Sequence, residues 1–144
     1  MLATLSAFSF GYAGWGPHTE KLIRTFDVVE RARGFEPPLI VDTRIRRNVR
    51  AVGFRGTALA DRLGDRHRWL RELGNRNVLT GEDGIAIDHP EAARTLLTWI
   101  REEAARYRRL IFFCSCGPVE GCHRQAIASL LLEEAKIQGL DLEI

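Results

Sequence analysis

The chain has 144 residues, 45% of them hydrophobic, with a net charge of +2 and three cysteines. That length and apolar content suffice for one buried core, and the near-neutral balance excludes a protein drawn to polyanions by overall charge alone. An odd number of cysteines, clustered between 114 and 122, excludes a secreted disulfide scaffold, and the apolar start from Met1 to Gly16 has no basic residue before Lys21 and is too short to cross a bilayer; a single cytoplasmic domain over 1–144 with no membrane partner is expected.

In chain order, Ala3 to Phe10 reads as a first strand, followed by a turn containing Gly11, Tyr12, Gly14 and Trp15. Thr19 can cap a helix whose Leu22, Ile23, Phe26 and Val29 share one face, and Gly34 can stop it. Pro37 and Pro38 lead into Leu39, Ile40 and Val41, a buried strand ending in the polar Asp42, Thr43 and Arg44. Thr57 to Gly64 carries the signals of a short helix, whereas Arg66 to Leu70 fits a helix or a polar strand equally, and Asn75 to Asp83 reads as loop. Asp88 starts what should be the longest helix, with Pro90 in its first turn, Glu91 three residues after the cap and Ala93, Leu96, Leu97, Ile100, Ala104 and Tyr107 on its buried face; Arg108 and Arg109 belong outside or near its end.

The next stretch switches most cleanly from strand to helix. Leu110, Ile111, Phe112 and Phe113 form a run of the kind buried on both faces of a parallel strand, Gly117, Pro118 and Gly121 break the chain, and Ile127, Ala128, Leu130 and Leu131 resume with helical spacing. Cys122, His123 and Arg124 therefore fall at a helix N-terminus, where orphan N–H groups and the helix dipole favour an anion and lower the pKa of a thiol. Gly139 ends the helix, and Leu140, Leu142 and Ile144 alternate with acids as a last strand. Alternating strands and helices predict an α/β fold: one domain, a mainly parallel sheet of about five strands, helices on both faces.

Several of these segments together resemble the domain-of-unknown-function 488 family. The ending from Ile111 to Leu131, with a strand finishing in Cys114 and a loop leading to Cys122-His123-Arg124, is similar to that family's signature. Ser9-Phe10-Gly11-Tyr12, Ile40-Val41-Asp42-Thr43-Arg44 and Leu73-Gly74-Asn75 resemble its other landmarks in the same order, Asn75 standing in place of a second glycine and Cys116 in place of an acid. The resemblance implies a mainly parallel α/β sandwich and makes His67 to Leu70 a strand. It implies no particular reaction.

The candidate site gathers residues that follow strand ends or open a helix, because such positions meet at one edge of a parallel sheet. Tyr12, Arg44 and Arg124 are expected to bind ligand, with Cys116, Cys122, His123 and Asp42 as catalytic candidates for proton or thiol chemistry on an anionic, phosphate- or nucleotide-type small molecule. The plainer readings are an Asp42–Arg44 ion pair, a buried strand cysteine at 114 and an Arg124 that bridges to an acid. Zinc is the alternative cofactor, with Cys114, Cys116, Cys122 and His123 as nominal ligands, but the C-x-C-x5-C-H spacing is unusual. Adjacent helical residues would also diverge by about 100°, which argues against joint ligation and against His123 as a base for Cys122. A Cys116–Cys122 disulfide is a further option. The segment from Arg44 to Arg76 holds ten arginines against Asp61, Asp65 and Glu72, a local excess of seven positive charges, which makes nucleic acid an alternative partner.

Overall fold

The computed structural model describes residues 4–12, 16–47, 49, 52–114 and 122–144. Strands β1 (Leu5–Gly11), β2 (Glu36–Asp42), β3 (His67–Trp69), β4 (Arg108–Cys114) and β5 (Leu142–Glu143) form one sheet in the order β3-β2-β4-β1-β5, with every neighbouring pair parallel. Helices α1 (Thr19–Ala32), α2 (Ala58–Leu63), α3 (Asn77–Thr80), α4 (Ala93–Ala104) and α5 (His123–Ile137) connect them. This is the single-domain parallel α/β architecture that the alternating pattern predicts. Among the described residues no helix is long and apolar enough to cross a membrane.

Residue alternation along each strand separates two cores. Ile40 and Phe113 pack with Tyr12 and with Leu22, Ile23, Leu59 and Leu63 of α1 and α2 on one face. Leu39, Val41, Leu110 and Phe112 pack with Leu96, Leu97 and Ile100 of α4 and Ile127 and Leu131 of α5 on the other. The winding explains the division: β1, β2 and β3 step toward one edge of the sheet, whereas β4 and β5 step back toward the opposite edge, and right-handed crossovers that reverse direction place their helices on opposite faces. β4 is therefore flanked on both sides by strands whose connections leave toward the other face. The carboxyl end of β4 lies at a topological switch point, the place where an open α/β sheet forms a crevice.

Local details differ from the pattern in informative ways. Pro37 and Pro38 lie inside β2, tolerated because the β2–β4 register shifts between Glu36 and Leu39 and β3 pairs only from Ile40 onward. Ala3 lies outside the described residues and β1 runs on to Gly11. Asn77–Thr80, expected as loop, makes one helical turn; the Asn75 carboxamide holds its base, accepting the Asn77 and Ala86 N–H groups and donating to the Gly84 carbonyl. Pro90–Ala92 is a 3-10 turn ahead of α4, without a side-chain cap, so α5 with 15 residues is longer than α4 with 12. Ala104 and Tyr107 are exposed, not buried: the chain leaves α4 through Tyr107 in the left-handed region at φ 58, which turns its side chain outward. Arg108 and Arg109 consequently open β4, and Glu103 occupies the buried position instead.

Candidate functional site

Register brings the polar strand ends together. Gly11 pairs with Cys114, and Asp42 pairs with Phe113, so the next residue, Thr43, comes level with Cys114 on the other side of β4. By alternation Thr43, Cys114 and Ser9 face α5, following Val41, Phe112 and Ala7. The first residues of α5 meet these three strands in turn. Cys122 Sγ is 2.9 Å from Cys114 Sγ, His123 Nε2 is 3.2 Å from the Thr43 carbonyl, and Arg124 Nη1 is 3.5 Å from Ser9 Oγ.

Cys122 can reach back to β4 because it is the N-cap and not a helical residue, with extended φ −102 and ψ 151. The 100° divergence expected for neighbours within a helix therefore does not apply, and Cys122 Sγ lies 4.0 Å from His123 Nδ1. The Sγ atoms of Cys114 and Cys122 and a ring nitrogen of His123 all fall within 4.8 Å of one another, a grouping that could hold a metal ion. Cys114 is fully buried, Cys122 2% exposed and His123 8% exposed, so this cluster sits below the surface.

Hydrogen-bond accounting assigns the His123 tautomer. The Thr43 hydroxyl donates its one hydrogen to the Phe113 carbonyl at 2.7 Å, so toward His123 Nε2 at 3.3 Å it can only accept. The Thr43 carbonyl is also an acceptor. Nε2 must therefore carry the proton, leaving the Nδ1 lone pair facing the Cys122 sulfur. Burial holds His123 below the usual histidine range, an effect that the Thr43 carbonyl and Asp42 oppose and Arg124 reinforces. A neutral imidazole with a free Nδ1 is a proton acceptor or a metal ligand, and a backbone carbonyl on the opposite nitrogen is the usual way proteins orient either.

The other predicted site residues form a second group on the opposite face. Asp42, fully buried, binds Arg44 through both oxygens, at 2.9 Å to Nε and 2.6 Å to Nη2, and also accepts the Arg44 backbone N–H at 2.9 Å. Arg44 lies over the rings of Tyr12 and Phe113 at 5.3 and 5.2 Å, and its Nη1 donates to the Tyr12 hydroxyl at 3.4 Å. Burial alone would disfavour the guanidinium charge; the Asp42 contact outweighs it and raises the Arg44 pKa. Trp69 Nε1 donates to the Arg44 carbonyl at 2.7 Å and fixes the turn after β2. His67, on the neighbouring strand, is also held below the ordinary histidine range, chiefly by burial.

Cys116 lies outside the described residues, as do Gly14, Trp15, Gly117, Pro118 and Gly121. Sequence reasoning named Cys114 only as a nominal zinc ligand or a buried strand cysteine and gave Thr43 no role, although the alternation from Phe112 to Cys114 and from Val41 to Thr43 was the available signal. Arg124, expected in the first turn of the helix, is there and is 4% exposed. It lines a cavity of about 460 Å³ between β1 and α5, together with Ser9, Gln125 and apolar side chains.

Five of the ten arginines between 44 and 76 pair with carboxylates outside that segment. Arg44 meets Asp42, Arg62 meets Glu20, Arg66 meets Asp27, Arg68 approaches Glu103 and Arg71 approaches Asp88. The local charge excess in the sequence is thus largely offset by the fold. No family model, no curated protein and no solved structure matches the chain. Fold and site together define its class: a parallel α/β protein with a buried thiol–thiol–imidazole cluster at a switch point of the sheet.

Proposed function

We propose that this protein is a small thiol-dependent enzyme, or an enzyme-like binding protein, that takes an anionic phosphate- or nucleotide-type ligand at the N-terminus of α5. Cys122 is the reactive thiolate, His123 Nδ1 accepts its proton, and the helix N-terminus with Arg124 holds the anion. The observation that carries this reading is the placement of Cys122 Sγ at an N-cap, 4.0 Å from a ring nitrogen whose lone pair faces it. Helix N-termini stabilise thiolates and anions alike. The cavity beside Arg124 and Ser9 offers room for a ligand. Membership of the domain-of-unknown-function 488 family, on the Cys122-His123-Arg124 and Val41-Asp42-Thr43-Arg44 segments, belongs to the same proposal.

The test is thiol reactivity and anion binding on the reduced protein. Cys122 should alkylate with an apparent pKa below the ordinary thiol value of about 8.5, inorganic phosphate should slow that reaction and raise the melting temperature, and His123→Gln should restore an ordinary thiol. Arg124→Ala should abolish the phosphate effect. A Cys122 that titrates like a free thiol and ignores phosphate would overturn the reading.

A second reading is metal binding, favoured by the convergence of Cys114, Cys122 and His123. Two thiolates and one imidazole suit zinc, and the Thr43 carbonyl on Nε2 is the expected support for an Nδ1 ligand. Metal analysis of protein purified without chelator, and its loss in Cys114→Ser, separates this reading from the first.

A further inference from the structure

The geometry points to a second activity at the same cluster: Cys114 and Cys122 form a redox-active dithiol, oxidised to a disulfide by small hydroperoxides and reset by a dithiol reductant. The inference rests on the proposed thiol role of Cys122 and is carried by its contact with Cys114, which the sequence pattern offered only as a nominal zinc ligand or a buried strand cysteine. At 2.9 Å the two sulfurs are nearer than ordinary non-bonded contact between them and need to close to about 2.05 Å for a bond. Eight positions separate them in sequence, and they come from different elements, the end of β4 and the N-cap of α5.

The chemistry closes without an unnamed reactant. With its proton on His123, the Cys122 thiolate attacks the terminal oxygen of a hydroperoxide; the O–O bond breaks, the alkoxide takes the proton from His123 and leaves as an alcohol, and Cys122 becomes a sulfenic acid. The Cys114 thiol then attacks the sulfenic sulfur, forming the S–S bond, and its proton leaves with the hydroxyl as water. Two thiols and one hydroperoxide yield one disulfide, one alcohol and one water. An external dithiol reverses the step by thiol–disulfide exchange and is itself oxidised to a disulfide. Cys114 is fully buried and Cys122 only 2% exposed, so both the oxidant and the dithiol that resets the pair have to be small.

The experiment treats the reduced full-length chain with hydrogen peroxide, quenches with an alkylating agent and maps the peptides. The expected result is loss of two hydrogens from the intact mass, a peptide joining Cys114 to Cys122, complete reversal by dithiothreitol, and closure many-fold faster than in the same chain unfolded in guanidinium. Cys116→Ser should form the same bond, and in Cys114→Ser oxidation should stop at a sulfenic acid on Cys122 that dimedone traps. A disulfide that includes Cys116, or closure no faster than in the unfolded chain, overturns the inference. If Cys122 alkylates as a thiolate on the reduced protein yet no Cys114–Cys122 bond forms, only this inference falls; if Cys122 is an ordinary thiol, the proposed function falls with it.

Discussion

Thr43 orients His123. Its carbonyl lies 3.2 Å from Nε2, its hydroxyl 3.3 Å from the same nitrogen, and that hydroxyl has already given its hydrogen to Phe113. A residue at a strand end thereby decides which imidazole nitrogen faces the cysteines. Thr43→Val keeps the backbone carbonyl and removes the hydroxyl, so the Nε2–H tautomer should persist while stability falls by about 0.5–1.5 kcal/mol for the lost side-chain hydrogen bond. Imidazole ¹⁵N shifts check the tautomer and urea unfolding the cost. An Nδ1–H tautomer in the wild-type protein would remove the base from the proposed chemistry.

Stability should depend on pH through two histidines. His123 and His67 are both held below the ordinary range, mainly by burial, whereas in the unfolded chain they titrate near about 6.5. Below that value the unfolded chain binds more protons than the folded one, so the stabilisation is fully present above about pH 6.5 and is lost as pH falls toward the folded values. Melting temperatures measured across that window should decline with acidification in the wild type and decline less in His67→Gln/His123→Gln. An equal decline in both proteins would show that other groups are responsible.

The Asp42–Arg44 pair is expected to be structural. With Asp42 fully buried and Arg44 5% exposed, Asp42→Ala leaves a buried guanidinium uncompensated and should cost about 3–5 kcal/mol, whereas Asp42→Ala/Arg44→Met should recover much of that loss. Denaturant midpoints at unchanged m-value read both. A single-mutant cost of under about 1 kcal/mol would mean that the pair adds little to the fold and would favour a chemical role for Asp42.

Gly74 is required by space. A Cβ there would lie 2.6 Å from the Cα and N of Ile45, which is buried, while the Gly74 backbone at φ −69 is open to any residue. Gly74→Ala should therefore destabilise by about 1–3 kcal/mol through overpacking. Thermal unfolding decides it, and an unchanged midpoint would mean that the Ile45 turn yields freely.

The sequence by itself determined the alternation of apolar strands and amphipathic helices, because burial on both faces of a parallel strand and on one face of a helix leaves distinct periodicities. It also placed Asp42, Thr43, Cys122, His123 and Arg124 at element ends. Tertiary structure decided how they are grouped. Alternation about β2 and β4 sends Asp42 and Arg44 to the α1 face and Thr43 and Cys114 to the α5 face, a division that depends on register and on where β4 inserts between β1 and β2. The partners of Arg62, Arg66, Arg68 and Arg71 were equally illegible, since Glu20, Asp27, Glu103 and Asp88 come from other parts of the chain. The backbone at Cys122 was decided last: periodicity locates a helix start only to within a residue or two, and that one-residue difference, N-cap against first helical turn, is what lets Cys122 meet Cys114 and His123 together.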